Sequence, residues 1–377
     1  MAEYTTIHDM IDHVYGSNTP YAVNKSDAPS VRGTGGTFNA VYGASAFSQL
    51  NMEGNAFAIL PKIPWEKSGW RVITALGGAA GDGGIAETAS IPDSTLPTWA
   101  EIDTAPKQVA HVFEASAIKD GLYATDDDVS GDLNFLRGHY AAVHARRINE
   151  QLLKDGDTLA GNNFESIDRV TASAAYATAV SWDADDEDIY GIDRSDASWS
   201  DAVVSHNSGT DRVLTDALVR DTLATLENNG ARTNVILTGT DTKYRLAGLY
   251  ENRVRYSGVF EDGVPVSVGL NGVSTDEGQH FGAKVAMLYG IPVFISQAVE
   301  KDTLSRIYLL DTTEAEDGTP RLFIALLYPT LYFESGFNAR NPDPFAIGKF
   351  TTKGVYYTAG ELICTRFNVQ GSIRDLQ

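Results

Sequence analysis

Apolar and polar positions change their spacing several times along the chain, and each change marks a different element. Leu133, Leu136, Tyr140, His144, Ile148 and Leu152 recur every three or four residues and form one stripe, which predicts a long helix over about 126–155. Thr125 and Asp128 stand at capping-box spacing before it, and Arg146 and Glu150 lie one turn apart. Gly131 and Gly138 each weaken such a helix by about 1 kcal/mol relative to Ala, so packing of the stripe must recover the loss. Upstream, "GWRVITAL" is rich in β-branched residues and reads as a strand, followed by a run of glycines. Pro92, Pro97 and Pro106 exclude a helix beyond that run, so residues 70–107 read as a long two-stranded excursion. Residues 1–70 are rich in Gly, Ser, Ala and Asn and read as an extended arm, which buries little of itself and gains order on other surfaces.

From Leu214 helices and strands alternate. "TDALVRDTLATLENNG" is a helix closing at Asn229 and Gly230, "TNVILTG" a buried strand and "TDTKYRLAGLY" a second helix. "GIPVFIS", "SRIYLLD" and "RLFIALLYPTLYFES" are further strands. The last stretch, "GKFTTKGVYYTAGELICTRFNVQGSIRDLQ", reads as strands or as a short helix plus strands. Residues 161–212 hold only Arg169, Arg194 and Arg212 as basic residues and read as an acidic, elaborated surface segment.

Composition adds a constraint on the environment. The 377 residues suffice for two or three domains, and 43% hydrophobic content supports a sizeable core. Fifty acidic residues, 32 Asp and 18 Glu, face 11 Lys and 18 Arg, a formal charge of -21 spread along the whole chain. Such a surface repels copies of itself and repels DNA in dilute buffer. At 1 M salt the Debye length falls to about 3 Å and the repulsion is screened. Asp over Glu and Arg over Lys resembles proteins of salt-loving organisms; an ordinary acidic mesophile protein is the alternative. Cys364, the one cysteine, can form no internal disulfide and reads as a small buried hydrophobe. The N-terminus lacks the basic and apolar regions of a signal peptide, and no apolar run approaches the roughly 20 residues of a membrane helix.

Candidate chemistry is sparse. The glycine run has a strand before it, but a phosphate cradle also needs a helix after it, and Pro92 and Pro97 interrupt that position. The run therefore reads as a pliable hairpin fitted for contact with a neighbour. No His pair has zinc-protease spacing; His144, inside the apolar stripe, reads as a satisfied core histidine. "WDADDEDIYGIDRSD" fails the calcium-loop pattern, because Asp188 and Arg194 stand where Gly and Glu are needed counting from Asp183. It reads as a solvated acidic face, with a looser cation site as the alternative. No serine-hydrolase elbow occurs. The residues assign no catalytic, cofactor or metal site.

The order of parts is more specific than any motif. An arm precedes a proline-bearing hairpin, "ETASIPDSTLPTWAEIDTAPKQVA"; a long helix ends in "EQLLKDGD"; then come "ARTNVILTGTDTKYRLAGL", "YGIPVFISQAV" and closing strands "ELICTRFNVQGSI". Over roughly residues 60–375 this order resembles the major capsid protein of tailed double-stranded-DNA viruses. The resemblance implies an α+β, Hong Kong 97-like fold. It divides the chain into an arm (1–70), an extended β-hairpin loop (71–108), a peripheral domain (109–213 and 345–377) with its spine helix and an acidic insertion at about 175–212, and an axial domain (214–344). It implies a structural, non-enzymatic subunit that assembles into pentamers and hexamers of an icosahedral shell around double-stranded DNA. Portal, scaffold and decorating proteins would be further partners, with no membrane. The place would be the virion, assembled in the host cytoplasm, and the charge points to a halophilic archaeal virus. The contact candidates between subunits are Trp70, Gly77, Gly78, Gly81, Gly83, Gly84, Glu87, Pro92, Pro97 and Trp99. Residues 72–106 contain no lysine, so no covalent crosslink through this loop is expected. An encapsulin-like compartment shell is the nearest alternative, and an acidic halophilic α/β hydrolase the alternative of another class.

Overall fold

The structure, a computed structural model, describes residues 55–75, 77, 87–88, 90, 96–126, 133–154, 162–182, 188–251, 260–261, 286–315, 317–337 and 348–377. The elements run α1 Asn55–Ile59, β1 Lys62–Pro64, β2 Gly69–Ala75, β3 Thr98–Asp103, β4 Lys107–Ser116, α2 Ala117–Asp126 and α3 Leu133–Leu153. After these come α4 Ile167–Val170, α5 Ala174–Val180, β5 Val203–Ser205, α6 Asp216–Asn228, β6 Val235–Thr238 and α7 Thr240–Glu251. The chain closes with β7 Phe260–Glu261, β8 Ala286–Leu288, β9 Ile291–Ile295, β10 Ile307–Leu310, β11 Leu322–Gly336, β12 Thr351–Cys364 and β13 Gly371–Ile373. Among the described residues they form a four-stranded sheet β1-β11-β12-β4, a seven-stranded sheet β5-β13-β10-β6-β9-β8-β7, and the separate pair β2-β3.

The adjacent strands β13, β10 and β6 of the seven-stranded sheet are buried at every position, and the side chains of β6 and β10 enter a core on each face. Val235 and Leu237 of β6 and Tyr308 and Leu310 of β10 join one core cluster, while Ile236, Ile307 and Leu309, one residue out of phase, join another. The second cluster is closed by Val219, Leu223 and Leu226, the apolar stripe of α6, and by Leu246 of α7. α6 is capped by Thr215, whose hydroxyl accepts from the Leu218 N–H, and it ends before Gly230 at φ +80°. Tyr289 and Gly290 both have positive φ between β8 and β9, the two-residue turn that suits the twist of a hairpin.

The first cluster draws on α1 (Ala56, Ile59, Leu60), α3 (Ile148, Leu152, Leu153), the α4 segment (Phe164, Ile167, Val170), β6, β10, β11 and β12. Two expectations change here. Residues 55–64 are not arm: they are core, with the Ala56 N–H donating to Asn149 Oδ1 at 2.8 Å and β1 pairing in parallel with β11. The stretch 161–212 is not only a surface segment either, since Phe164, Asp168, Val170, Tyr176, Ile189 and Arg194 are buried; residues 183–187, the centre of the acidic run, lie outside the described residues. Of the described residues, those of Glu114–Arg137 and Ser335–Lys353 form one compact unit and the rest form the other. The long helix is described over Leu133–Leu153, the expected start between 127 and 132 lies outside the described residues, and Thr125 belongs to α2, which the periodicity did not reveal.

Three polar arrangements tie the core. Asp168, fully buried, receives both oxygens' partners from Arg306 Nη1 at 3.0 and 2.8 Å, from Tyr308 Oη at 2.8 Å and from Arg374 Nη1 at 3.3 Å. Arg306 also binds Asp302, and the Arg374 guanidinium lies 4.5 Å from the centre of the Tyr176 ring. Burial alone would raise the Asp168 pKa; the two guanidiniums overcome it and hold the carboxyl below its ordinary value. On α3, His144 Nδ1 lies 2.8 Å from His111 Nδ1 and its Nε2 lies 2.8 Å from Thr358 Oγ1, which meets Thr330 Oγ1 at 2.9 Å. Burial first, and His111 second, push the His144 pKa down to about 4. On β12, Glu361 Oε1 accepts the Glu165 N–H at 2.6 Å and the Leu362 N–H at 2.9 Å. Burial, with the Glu165 carboxyl nearby, outweighs these bonds and pushes the Glu361 pKa up to about 8.

Removing the Asp168 carboxylate strands two buried cations. Asp168→Ala is expected to cost about 3–5 kcal/mol in urea denaturation, whereas a single exposed pair such as Arg71–Glu101 costs under about 1. The two titrating groups oppose each other. The depressed His144 gives stability that is present above about 6.5 and declines as pH falls toward 4; the raised Glu361 gives stability that is full below about 4.5 and declines as pH rises toward 8. The two slopes cancel between about 4.5 and 6.5, so denaturation midpoints followed from pH 4.5 to 8.5 should be nearly level below about 6.5 and fall above it, and Glu361→Gln, which keeps the acceptor oxygen, should remove the alkaline fall and expose the His144 decline on the acid side.

Candidate intersubunit surface

Two extended segments of opposite character on their two faces make the hairpin. β2 alternates exposed and half-buried positions along its whole length, and β3 does so from Trp99 on. The register pairs Trp70 with Ile102, Val72 with Ala100, Arg71 with Glu101 and Ile73 with Trp99, with an irregularity between Ile73 and Ala75. Directly opposed residues of an antiparallel pair share a face. One face therefore carries Trp70, Val72, Ala100 and Ile102, and the other Arg71, Ile73, Trp99 and Glu101.

The first face is the anchor. Ile102 is buried in the large core cluster, Trp70 and Val72 pack against it, and the Trp70 ring meets Tyr190 edge-on with centroids 5.2 Å apart. At Gly69 a side chain would stand 2.8 Å from the Ile102 carbonyl oxygen, so the strands approach there because glycine has no Cβ. The second face stays open among the described residues. Ile73 is 65% exposed and Trp99 51%, and Leu96, just before β3, is 79% exposed. The Arg71–Glu101 ion pair, 2.7 Å across, borders them in solvent. A two-stranded ribbon is marginal in water by itself. This one is held by its inner face and leaves an apolar row, flanked by paired charges, for another surface.

The candidates named from sequence divide accordingly. Trp70 turns to the core of its own chain and holds the hairpin. Trp99 stands on the open face, Pro97 and Glu87 are exposed, and Gly77 is half-buried. Gly78, Gly81, Gly83, Gly84 and Pro92 lie outside the described residues. Ile73 and Leu96 were missed; the signal for Ile73 was its phase in "GWRVITA", two residues from Arg71 on the solvent face. Cys364 is buried, and burial pushes its thiol up to about 12. Among the described residues no group of three His, Cys, Asp or Glu converges as a metal-ligand set, and no helix is long and apolar enough to cross a membrane.

No family model and no curated protein matches the sequence. Solved structures do match in shape. The chain is similar to a subunit of the cyanophage A-1(L) capsid asymmetric unit at TM-score 0.63 and 16% identity, over 90% of this chain and 97% of that one. It is similar to the capsid of an empty GTA particle at 0.52 and 15%, over 87% and 98%. It is also similar to the holo-SrpI encapsulin complex from Synechococcus elongatus PCC 7942 at 0.52 and 11%, over 90% and 93%. The sheets, the long helix and the hairpin of this chain thus make up the Hong Kong 97-like fold, as the order of parts in the sequence led us to expect.

Proposed function

We propose that this chain is a structural subunit, not an enzyme, that self-assembles into the icosahedral head shell around a double-stranded DNA genome. The observation that carries the reading is the open face of the hairpin. Its inner side is fixed by Trp70 and Ile102, so Ile73 and Trp99 are held out at set positions and are not the loose ends of a mobile loop. Burying two or three such side chains on a neighbour stabilises by about 1.5–3 kcal/mol for each one fully covered. Repeated at every contact of a closed lattice, that term is large in sum while each contact stays adaptable. Subunit interfaces above about 2,000 Å² in total belong to this obligate type.

The finer reading is a tailed virus of a salt-loving archaeal host, in whose cytoplasm the shell is assembled. Its support is the charge of -21 and the excess of Asp over Glu and Arg over Lys. Strong salt screens both subunit–subunit and shell–genome repulsion. Portal, scaffold and decorating proteins complete the set of partners this reading requires.

Three measurements test it. Ile73→Glu with Trp99→Glu should leave a soluble subunit with an unchanged thermal midpoint that forms no closed particles by electron microscopy; normal particles would remove the hairpin from the assembly surface. Transfer of wild-type particles from molar to millimolar salt, without divalent ions, should swell or dissociate them, seen by light scattering; intact, unswollen particles would refute the salt-adapted reading. Nuclease-resistant DNA inside particles purified from the source supports a virus head, whereas a cargo protein in its place would make the shell an encapsulin-like compartment.

A further inference from the structure

Arg194 is a cation kept deep inside the larger unit. A two-residue turn sets where it enters. Tyr190 and Gly191 both have positive φ, at 51° and 72°, and Ile189 and Ile192 exchange backbone bonds of 3.0 and 2.9 Å across them. Ile189 is fully buried and the Tyr190 hydroxyl donates to the Leu362 carbonyl at 2.7 Å, so the turn is held from within the core. Arg194 follows two residues later and is 2% exposed. Its Nη2 donates to the Arg169 carbonyl, while its Nε and Nη1 have no hydrogen-bond partner. Burial pulls its pKa down to about 10, so the guanidinium still carries its charge at neutral pH.

The carboxylates around it are engaged elsewhere. Asp168 meets Arg306 and Arg374, Asp302 meets Arg306, and Glu165 lies 3.4 Å from Arg169. Asp201 accepts the Ala174 N–H at 2.8 Å. Glu165 and Asp201 attract Arg194 through space, but among the described residues no carboxylate lies within ion-pair distance of it. Arg374 and Arg169 act in the opposite sense and add positive potential at the same place. A buried charge without a partner is strongly unfavourable, and buried N–H groups are almost always bonded. A water molecule would satisfy the N–H groups and leave the charge unbalanced. A small anion answers both needs, and one uncompensated cation calls for a single negative charge.

We propose that the Arg194 guanidinium holds a small monovalent anion of the chloride class inside the folded chain. With Arg194 closed off from solvent, a tethered group such as a phosphate ester or a carboxylate of a second copy does not reach it. The site belongs to the fold of one chain and does not rest on the shell-subunit reading. It adds a specific effect of salt to the general one: screening depends on ionic strength alone, whereas occupancy of this site depends on which anion is present.

The test follows urea unfolding of the full chain at neutral pH in mixtures of sodium chloride and sodium gluconate held at one ionic strength. A ligand that binds only the folded state multiplies the folded-to-unfolded ratio by one plus its concentration over its dissociation constant. Raising chloride from about 0.1 to about 1 M should therefore raise that ratio for the wild-type chain about three- to tenfold more than for Arg194→Met or Arg194→Gln, which keep bulk without charge. An equal response of wild type and both variants overturns the proposal, and is also the result expected if carboxylates of residues 183–187 supply the counter-charge. Where neither variant folds, crystals of the wild-type chain grown with bromide in place of chloride decide. An anomalous scattering peak in contact with the Arg194 guanidinium supports the site; a water molecule or a protein carboxylate in that place overturns it.

Discussion

Asp168 is the point on which the larger unit closes. It sits on the four-residue helix α4, too short to be stable alone, and its carboxylate is met by Arg306 beside β10 and Arg374 beside β13. Those contacts join segments separated by 138 and 206 residues. A buried carboxylate with one guanidinium is at best near neutral in free energy, because desolvation offsets attraction. With two guanidiniums, a tyrosine hydroxyl and further bonds from Arg306 to Asp302, the carboxylate is saturated. Breaking any arm leaves a charge without water. The network thus fixes where the 164–205 segment and the C-terminal strand lie, and the apolar clusters fill around that choice.

The same network alters how the net charge should be read. Arg194, Arg306 and Arg374 are all buried, so part of the positive charge never reaches the surface. Buried aspartates such as Asp168 and Asp311 offset them inside. What solvent meets is therefore more acidic than the net charge of -21 alone conveys wherever a buried arginine lacks a buried carboxylate, as at Arg194, whose Nε and Nη1 have no hydrogen-bond partner.

Much of this was legible in the sequence where spacing is local. The α3 stripe, the glycine that closes α6, strands β6, β9 and β10 and the β2–β3 pairing follow from periods of 3.6 and 2, from turn residues and from proline positions; β5, β7 and β8 were not read. What escaped is long-range. His144 was read as a core histidine, but its partner His111 lies 33 residues away on β4 and no local pattern links them. Residues 55–64 look like arm because they are short and interrupted by proline; they are core because β11 and Asn149 receive them. The 161–212 segment read as an elaborated surface because charge was counted without its partners, and Asp168 shows that a carboxylate in such a stretch can be fully buried. The open hairpin face sits between these cases: its alternation is local, but which face is open depends on where Trp70 lands.

Taken together, charge and exposure bear on how copies of this chain meet. Two acidic surfaces about 8 Å apart still repel in physiological salt, and polar contacts between them add little. On the proposed reading, attraction between copies then comes from apolar area, which salt does not weaken. The hairpin supplies it with Ile73, Leu96 and Trp99, bordered by a charge pair that is already neutral. Screening removes the repulsion that opposes this contact, so on that reading the contact strengthens with salt.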